Sequence, residues 1–446
     1  MQIQFWGTRG SLAKPGPTTL RYGGNTACVE ARAADGTLLV LDCGTGAHGL
    51  GLALLAAGER PIRGHILITH THWDHIQGLP FFLPLFEPGN EWHIYAPKGL
   101  DQQLQQTLAG QMQYRYFPVA LEQLGATIHY HDLVEGSFDA GGVKVTAQYL
   151  NHPALCLGYR LEGDGVAVVY ATDHEPHARF QADAEPGSPL MHSEDRRHSS
   201  FLDEADLLIH DSQYTAVEYP KKVGWGHSTV EYVVDVALAG HVKRLALFHH
   251  DPLRDDAAVD TLLETSRQRV AMVNGTLEVL AASEGLVLNV NAPQQATSAA
   301  GEPKTSARQH SGVPQHPKVL IADDEPDVLL LLSRTLRSEN FDLITASDGE
   351  AALHLARMEY PDLILLDWGM PRLDGLSVTR TLRAESDPRL RDVPIVLVSA
   401  HASAEDMQTG FAAGVTDYLS KPFTPAHLRT RARAWLLRGA TQGQAR

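Results

Sequence analysis

Cysteine is scarce in this chain, with three in 446 residues. Cys28, Cys43 and Cys156 are odd in number and widely spaced, and no C-x-x-C occurs. That leaves no disulfide framework and suits a reducing compartment. Positive charge is also short: 37 Lys and Arg stand against 53 Asp and Glu, a formal net charge of −16. With no long basic run, the chain lacks the footprint that broad, sequence-independent nucleic-acid binding needs, a local basic cleft aside. Long apolar runs are missing too, and stretches such as Val328–Leu332 fall far short of a membrane span. The N-terminus begins with an alternating strand, Gln2-Ile3-Gln4-Phe5-Trp6, and shows no charged segment followed by an apolar one. No signal peptide is therefore expected, and the expected compartment is the cytoplasm with no membrane partner.

What is present is a globular composition, 43% hydrophobic and 20% charged. The length predicts two or three domains. Residues 1–291 alternate short strands and helices, which predicts a layered α/β domain. Between Pro176 and Ser200 the chain is polar and is expected to be an exposed irregular loop. From Asn291 to Pro317 hydrophobic periodicity disappears and Pro, Gln, Ser, Ala and Gly dominate. The expected boundaries are a first domain over 1–291, a flexible linker over 292–316, a second domain over 317–438 and a tail over 439–446.

The first domain is organised around Ile66-Leu67-Ile68-Thr69-His70-Thr71-His72-Trp73-Asp74-His75. An apolar run reads as a buried strand. His70 and His72 follow it and can share one ion, while Asp74 and His75 can turn to a second. Imidazole and carboxylate suit zinc, manganese or iron. Later positions repeat the pattern of an apolar strand ending in His or Asp: His152, Asp173 and the pair His249-His250. His227 stands in Gly224-Trp225-Gly226-His227-Ser228-Thr229, ahead of a predicted helix.

Residues 1–291 resemble the metallo-β-lactamase superfamily, in its ribonuclease Z and cyclic-phosphodiesterase branch. The resemblance rests on the H-x-H-x-D-H motif, Asp42-Cys43-Gly44-Thr45-Gly46, Phe5-Trp6-Gly7-Thr8-Arg9-Gly10 and Tyr22-Gly23-Gly24-Asn25-Thr26. It implies an αββα sandwich with two divalent metals, zinc or manganese, at one edge. It implies His70, His72 and His152 on the first metal, Asp74, His75 and His249 on the second, and Asp173 bridging, with His250 the alternative to His249. It gives His227 a catalytic place near the scissile phosphate with Asp211 orienting it, and Asp42 a structural one beside the ligand loop. One departure stands out, since the family's H-E-A-T stretch reads His210-Asp211-Ser212-Gln213 and Asp is one methylene shorter than Glu. No long insertion comparable to a tRNA-gripping arm occurs, which disfavours tRNA 3′ processing.

From Lys318 a regular β-α alternation predicts a doubly wound parallel sheet of five strands. Asp323 and Asp324 follow its first strand, Asp367 ends the third, Ser399 the fourth, and Lys421 follows the fifth. Strand ends of a parallel sheet share one crevice, and three converging carboxylates recruit a hard cation, Mg²⁺. This domain resembles a response-regulator receiver over its whole length. The resemblance implies Asp367 as phosphoacceptor, Asp323 and Asp324 as Mg²⁺ ligands with the Gly369 carbonyl, Ser399 and Lys421 on the phosphoryl oxygens, and Tyr418 as an aromatic switch. Arg429, Arg431, Arg433 and Arg438 lie beside Leu428, Trp435, Leu436 and Leu437, which predicts an amphipathic final helix with a solvated arginine face and no DNA binding.

The combined expectation is a two-component regulator with a hydrolytic output, a phosphodiesterase on cyclic nucleotides or similar small diesters. Its partners would be a histidine kinase or phosphotransfer protein, and a second copy in a phosphorylation-dependent dimer. The alternatives are a thioester, lactone or other acyl hydrolase, and a non-catalytic scaffold.

Overall fold

A computed structural model of the chain describes residues 1–58, 60–99, 103–177, 186, 187, 190, 192–291, 316–399, 404–421, 423 and 425–442. The expected linker lies outside the described residues except for residue 316, as do 443–446 of the expected tail. The chain divides into two compact units, Met1–Leu190 with Arg197–Ala307 and Met191–Arg196 with Arg308–Arg446.

In the first unit, β1 (Gln2–Gly7), β2 (Cys28–Arg32), β3 (Leu38–Leu41), β4 (Arg63–Leu67), β5 (Glu91–Pro97) and β6 (Thr127–Leu133) lie side by side in one sheet. A second sheet holds β7 (Gly136–Ala140), β8 (Val143–Tyr149), β9 (Leu157–Gly163), β10 (Val166–Ala171), β11 (Leu207–Asp211), β12 (Arg244–Phe248) and β13 (Glu278–Ala281) in sequential order. The last strand, β14 (Val287–Asn289), returns to the first sheet beside β1. The strands that run parallel, such as β3, β10 and β12, are nearly continuous apolar segments, as expected of strands buried on both faces.

The helices of this unit are α1 (Gly46–Ala56), α2 (Trp73–Ile76), α3 (Leu104–Gln111), α5 (Val230–Ala239), α6 (Asp256–Met272) and, from Arg197 on, α4 (Ser193–Leu202). Leu50 and Leu54 of α1 and Leu104 and Leu108 of α3 share a core with Ile66, Trp92 and Ile94 of the first sheet. Val233 and Val236 of α5 and Leu262 and Val270 of α6 cover Val169, Leu208 and Leu245 of the second. Between the sheets, the Phe5 and Phe248 rings meet at 6.1 Å, and the Tyr159 hydroxyl donates to the Ile68 carbonyl at 2.7 Å. Fully burying an apolar side chain such as Phe stabilises by about 1.5–3 kcal/mol. The layers are therefore αββα.

The structure corrects two local expectations. The segment 176–200, expected to be irregular, contributes most of α4; its sequence is polar until Phe201 and Leu202, so no apolar stripe announces it. Strands β6, β7 and β13 were not expected, because edge strands carry polar residues on their open side.

The second unit is a five-stranded parallel sheet of β15 (Lys318–Ala322), β16 (Asp342–Ala346), β17 (Leu363–Asp367), β18 (Ile395–Ser399) and β19 (Asp417–Ser420). Its order is β16-β15-β17-β18-β19, so the winding reverses between β15 and β17 and opens a crevice at their carboxyl ends. Around it run α7 (Pro326–Leu336), α8 (Gly349–Glu359), α9 (Gly375–Arg383), α10 (Pro388–Arg391), α11 (Ala404–Ala413) and α12 (Pro425–Gln442). Asp348 and Asp374 cap α8 and α9 by accepting from the Ala351 and Ser377 amides.

Helix α12 runs to Gln442, past the boundary expected at 438. Three of its arginines are not a solvated face. Arg431 is buried in an ion pair with Asp417, which also accepts from the Trp435 indole at 2.7 Å, and Arg429 and Arg433 both reach Glu339. The side chain of Arg438 lies outside the described residues. Acidic partners on β19 and after α7 consume the charge that the helix sequence alone leaves unpaired. Among the described residues no helix is long and apolar enough to cross a membrane. All three cysteines are free and buried.

Candidate metal centre and phosphoacceptor pocket

Strand ends and the tight turns after them build the first site. His70 and His72 follow β4, and Asp74 and His75 sit in α2. His152 follows β8, Asp173 follows β10, Asp211 ends β11 and His249 follows β12. Asp42, Asp173 and His249 all adopt left-handed backbone, at φ 58°, 54° and 58°. Such residues cost of order 1–3 kcal/mol each and persist where their surroundings hold them.

Asp173 stands between two sets of side chains. Its Oδ2 lies 3.6 Å from His70 Nε2 and 3.8 Å from His152 Nε2, which is itself 3.2 Å from His72 Nδ1. Its Oδ1 lies 3.3 Å from His75 Nε2 and 3.1 Å from His249 Nε2, and both nitrogens lie within 3.2 Å of Asp74 Oδ2. The two groups, His70, His72, His152, Asp173 and Asp74, His75, Asp173, His249, each converge to within 4.8 Å. Donor atoms around a tetrahedral cation with bonds of about 2.0–2.1 Å stand roughly 3.3 Å apart, so these spacings fit divalent ions. Independently, His70 Nε2 is buried with no hydrogen-bond partner. A buried nitrogen left in this way, aimed at a carboxylate, is the signature of an electron-pair donor.

At His70 and His152 electrostatics agree with that role, while the carboxylates of Asp74, Asp173 and Asp42 push His75 the other way. Burial pushes His70 well below the usual imidazole range and His152 down to about 3, so both are neutral. Burial would raise Asp74 and Asp173, but the surrounding imidazoles, His75 and His249 foremost, hold both carboxyls well below theirs. Other contacts aim the rings. His152 Nδ1 donates to the Gly226 carbonyl at 3.0 Å, and Gly226 has φ +86° where a Cβ would stand 2.2 Å from that nitrogen. His75 Nδ1 donates to Asp42 Oδ2 at 2.8 Å. Asp42 also accepts from the Thr69 amide at 2.7 Å, from its hydroxyl, and from the Tyr170 hydroxyl at 2.9 Å. Asp42→Asn keeps the volume and tolerates the backbone, yet weakens the acceptor that fixes His75. Zinc affinity of the His75 group, measured by titration, is expected to fall about 10–100-fold.

His227 lies beside both groups. Its Nδ1 is 3.1 Å from Asp211 Oδ2, so the shorter Asp reaches it, and its ring stacks on His249 at 5.2 Å. Burial pulls its pKa down, but the pairing with Asp211 outweighs this and lifts it to about 9. Cations beside it would act in the opposite direction. His250, the alternative to His249, turns away and donates Nε2 to the Ala282 carbonyl at 2.9 Å.

In the second unit, Lys421 Nζ is 2.8 Å from Asp323 Oδ2 and 2.7 Å from Asp367 Oδ1. Burial, aided by Asp367, raises the Asp323 carboxyl, while Lys421 opposes the shift. The Gly369 amide donates to Asp367 Oδ2 at 2.7 Å. Asp324 is exposed beside them, and Ser399 is buried at the end of β18. The carboxylates of Asp323 and Asp367 converge on the Lys421 ammonium, and carboxylate oxygens suit a hard oxygen-seeking dication. Tyr418 is buried, edge-on to Phe411 at 5.2 Å. A Cβ on Gly410 would stand 1.5 Å from its hydroxyl. Gly410→Ala is therefore expected to destabilise this unit by about 1–3 kcal/mol through overpacking, read by denaturant melting.

Family models match both units: a beta-lactamase superfamily domain over residues 37–250, and a response regulator receiver domain over residues 319–433. The chain joins a beta-lactamase superfamily domain to a response regulator receiver domain. The receiver domain is 47% identical over 122 residues to the transcriptional regulatory protein PrrA of Mycobacterium bovis, covering 27% of this chain and 51% of that protein. The chain thus spans about half the length of the curated relatives it matches. Among solved structures, the beta-lactamase superfamily domain is similar to the metallo-beta-lactamase fold protein YhfI from Bacillus subtilis, at 19% identity and a TM-score of 0.44 over 64% of this chain and 98% of that one. It is also similar to the short form of human tRNase Z, at 22% identity and a TM-score of 0.43 over 65% and 99% of the two chains.

The beta-lactamase superfamily domain also holds side chains that the sequence did not single out. Glu175 accepts from the Gly224 and Gly226 amides at 2.7 and 2.8 Å and so anchors the loop before His227. Its position two residues after Asp173 was the available signal. On the receiver domain, the structure brings Lys421 to both Asp323 and Asp367.

Proposed function

We propose that this protein is a two-component response regulator whose output is hydrolysis of a small phosphodiester, a cyclic nucleotide or a similar compound, under control of phosphorylation at Asp367. One observation carries the hydrolytic half: a single buried carboxylate, Asp173, turns one oxygen to each of two ligand groups. His70, His72 and His152 would share one cation with it, and Asp74, His75 and His249 the other, zinc or manganese by their donor atoms. Bound there, such a pair supplies hydroxide at neutral pH and neutralises charge on the phosphoryl oxygens.

The chain's own groups support a diester reading. The Ser11 amide donates to Asp74 Oδ2 at 2.7 Å and restrains it. Asp211 engages His227 at Nδ1, so Nε2 is the atom with a proton to give to a departing alkoxide. His72 is exposed, which leaves an entry on that side. Trp73, next to it, is 76% exposed, and Trp225, two residues before His227, is 56% exposed with Lys222 Nζ 3.9 Å above its ring. Indoles and a cation at an entrance favour an anionic substrate with a planar substituent.

Side-by-side turnover of bis-p-nitrophenyl phosphate, a cyclic-nucleotide panel and a thioester by the zinc- or manganese-loaded protein tests this reading. Diester turnover that a chelator abolishes is expected. Thioester turnover without diester turnover would move the chemistry to acyl bonds. In the receiver domain, Mg²⁺ beside Asp323, Asp324 and Asp367 and a histidine kinase or phosphotransfer protein as donor complete the proposal. Asp367→Asn is expected to take acetyl-phosphate labelling from stoichiometric to none. Beryllofluoride should change diester turnover or oligomeric state in the unaltered protein only; no change in either would refute the regulatory half.

A further inference from the structure

Strand β6, which the sequence did not announce, creates a second concentration of imidazoles in the first sheet. Parallel register sets His65 beside His93 and His93 beside His129 across β4, β5 and β6. It also sets Tyr95 beside His131. The rings lie nearly parallel, His93 on His129 at 4.6 Å and Tyr95 on His131 at 4.4 Å. Side chains two apart on a strand share a face, so Glu91 joins the same row. Its Oε1 lies 3.8 Å from His93 Nε2 and 3.4 Å from His129 Nε2, while Arg63 holds its Oε2 at 3.3 Å.

On the far side of His93, Nδ1 lies 3.0 Å from His131 Nε2. With the Nδ1 proton given to His131, His93 Nε2 keeps its lone pair toward Glu91. A ligating histidine is ordinarily oriented in this way through its other nitrogen. The donor atoms of Glu91, His93 and His129 all fall within 4.8 Å of one another. Burial and neighbouring imidazoles also lower the His93 and His131 pKa values, which favours the neutral form. Glu91 and His93 are the first and third residues of β5, whereas the Asp173 centre gathers at the carboxyl ends of the parallel strands. The two sets are therefore separate.

We propose that Glu91, His93 and His129 form a third transition-metal site, for Zn²⁺, that fastens the edge strand β6 to β5. Two imidazoles and a carboxylate are a zinc donor set that leaves one position for water. The site needs no part of the catalytic groups, and its occupancy reads out in metal count and strand protection.

The test uses the full chain with Mg²⁺ in millimolar excess for the receiver domain and two equivalents of zinc already bound. Calorimetric titration with Zn²⁺ should find one further equivalent of micromolar affinity. Exposed His129 is the safest position to change. His129→Ala and, as a second variant, Glu91→Gln should each weaken that equivalent roughly tenfold or more. Both should keep two tightly bound metals and the diester turnover of the unaltered protein. Zinc should also slow amide exchange over 127–133 in the unaltered protein and not in His129→Ala. Absence of the third equivalent, or its survival at equal affinity in both variants, would overturn the proposal.

Discussion

Asp173→Asn is expected to leave the protein folded and to lower diester turnover by roughly 10³-fold or more, since the cations it is proposed to hold would be worth several kcal/mol of transition-state stabilisation. Asparagine fills the same volume and tolerates left-handed backbone, so the φ of 54° at this position survives the change. What changes is one oxygen. The carboxylate turns Oδ2 to His70 and His152 and Oδ1 to His75 and His249, and an amide nitrogen cannot serve as the second donor. Elemental analysis should find fewer than two tightly bound metals per hydrolase domain, with unchanged circular dichroism. Two retained metals and undiminished turnover would remove Asp173 from the centre.

The second large effect is expected at His227, and it depends on the substrate. If His227 gives its Nε2 proton to the departing oxygen, His227→Ala should slow a diester with an alkyl leaving group by about 10²–10⁴-fold. p-Nitrophenolate leaves without a proton, so bis-p-nitrophenyl phosphate should lose far less. Comparing the two substrates in one variant separates proton donation from positioning. Equal losses for both would make His227 a residue that orients its neighbours, for example through its stacking on His249 at 5.2 Å and its contact with Asp211. Asp211→Asn should then reproduce the smaller part of the effect.

The ligand loop was legible because its residues are consecutive. A buried strand ends at Leu67, and everything from His70 to His75 follows within two short turns. The distant members were legible only as a repeated pattern of apolar strand and then His or Asp. That pattern could not choose between His249 and His250, because the choice depends on a left-handed turn at His249 with φ 58°. The turn carries Nε2 to within 3.1 Å of both Asp74 and Asp173, and sends His250 to the Ala282 carbonyl instead. The receiver crevice was easier, since one parallel sheet places every strand end on the same side.

Polar elements were the hardest to see. Strand β6 reads Thr-Ile-His-Tyr-His-Asp-Leu, and with His129 and Asp132 exposed it has little apolar signal. Helix α4 hides its contacts in buried histidine and serine, His198 and Ser199, ahead of Phe201 and Leu202. Helix α12 misled in the other direction. Its arginines look solvated in sequence, and their partners Asp417 and Glu339 lie 14 and 94 residues away in the chain. Ion pairs over such separations leave no local trace.

In the proposed centre two cations would share the Asp173 carboxylate and together hydrolyse a diester. The most direct measurement is diester turnover by the metal-free full chain as zinc or manganese is added, with His72→Ala as the blank. Turnover that stays near zero through the first equivalent, rises with the second and is absent from the variant is the predicted result. Full turnover at one equivalent, or none with both groups filled, would contradict it.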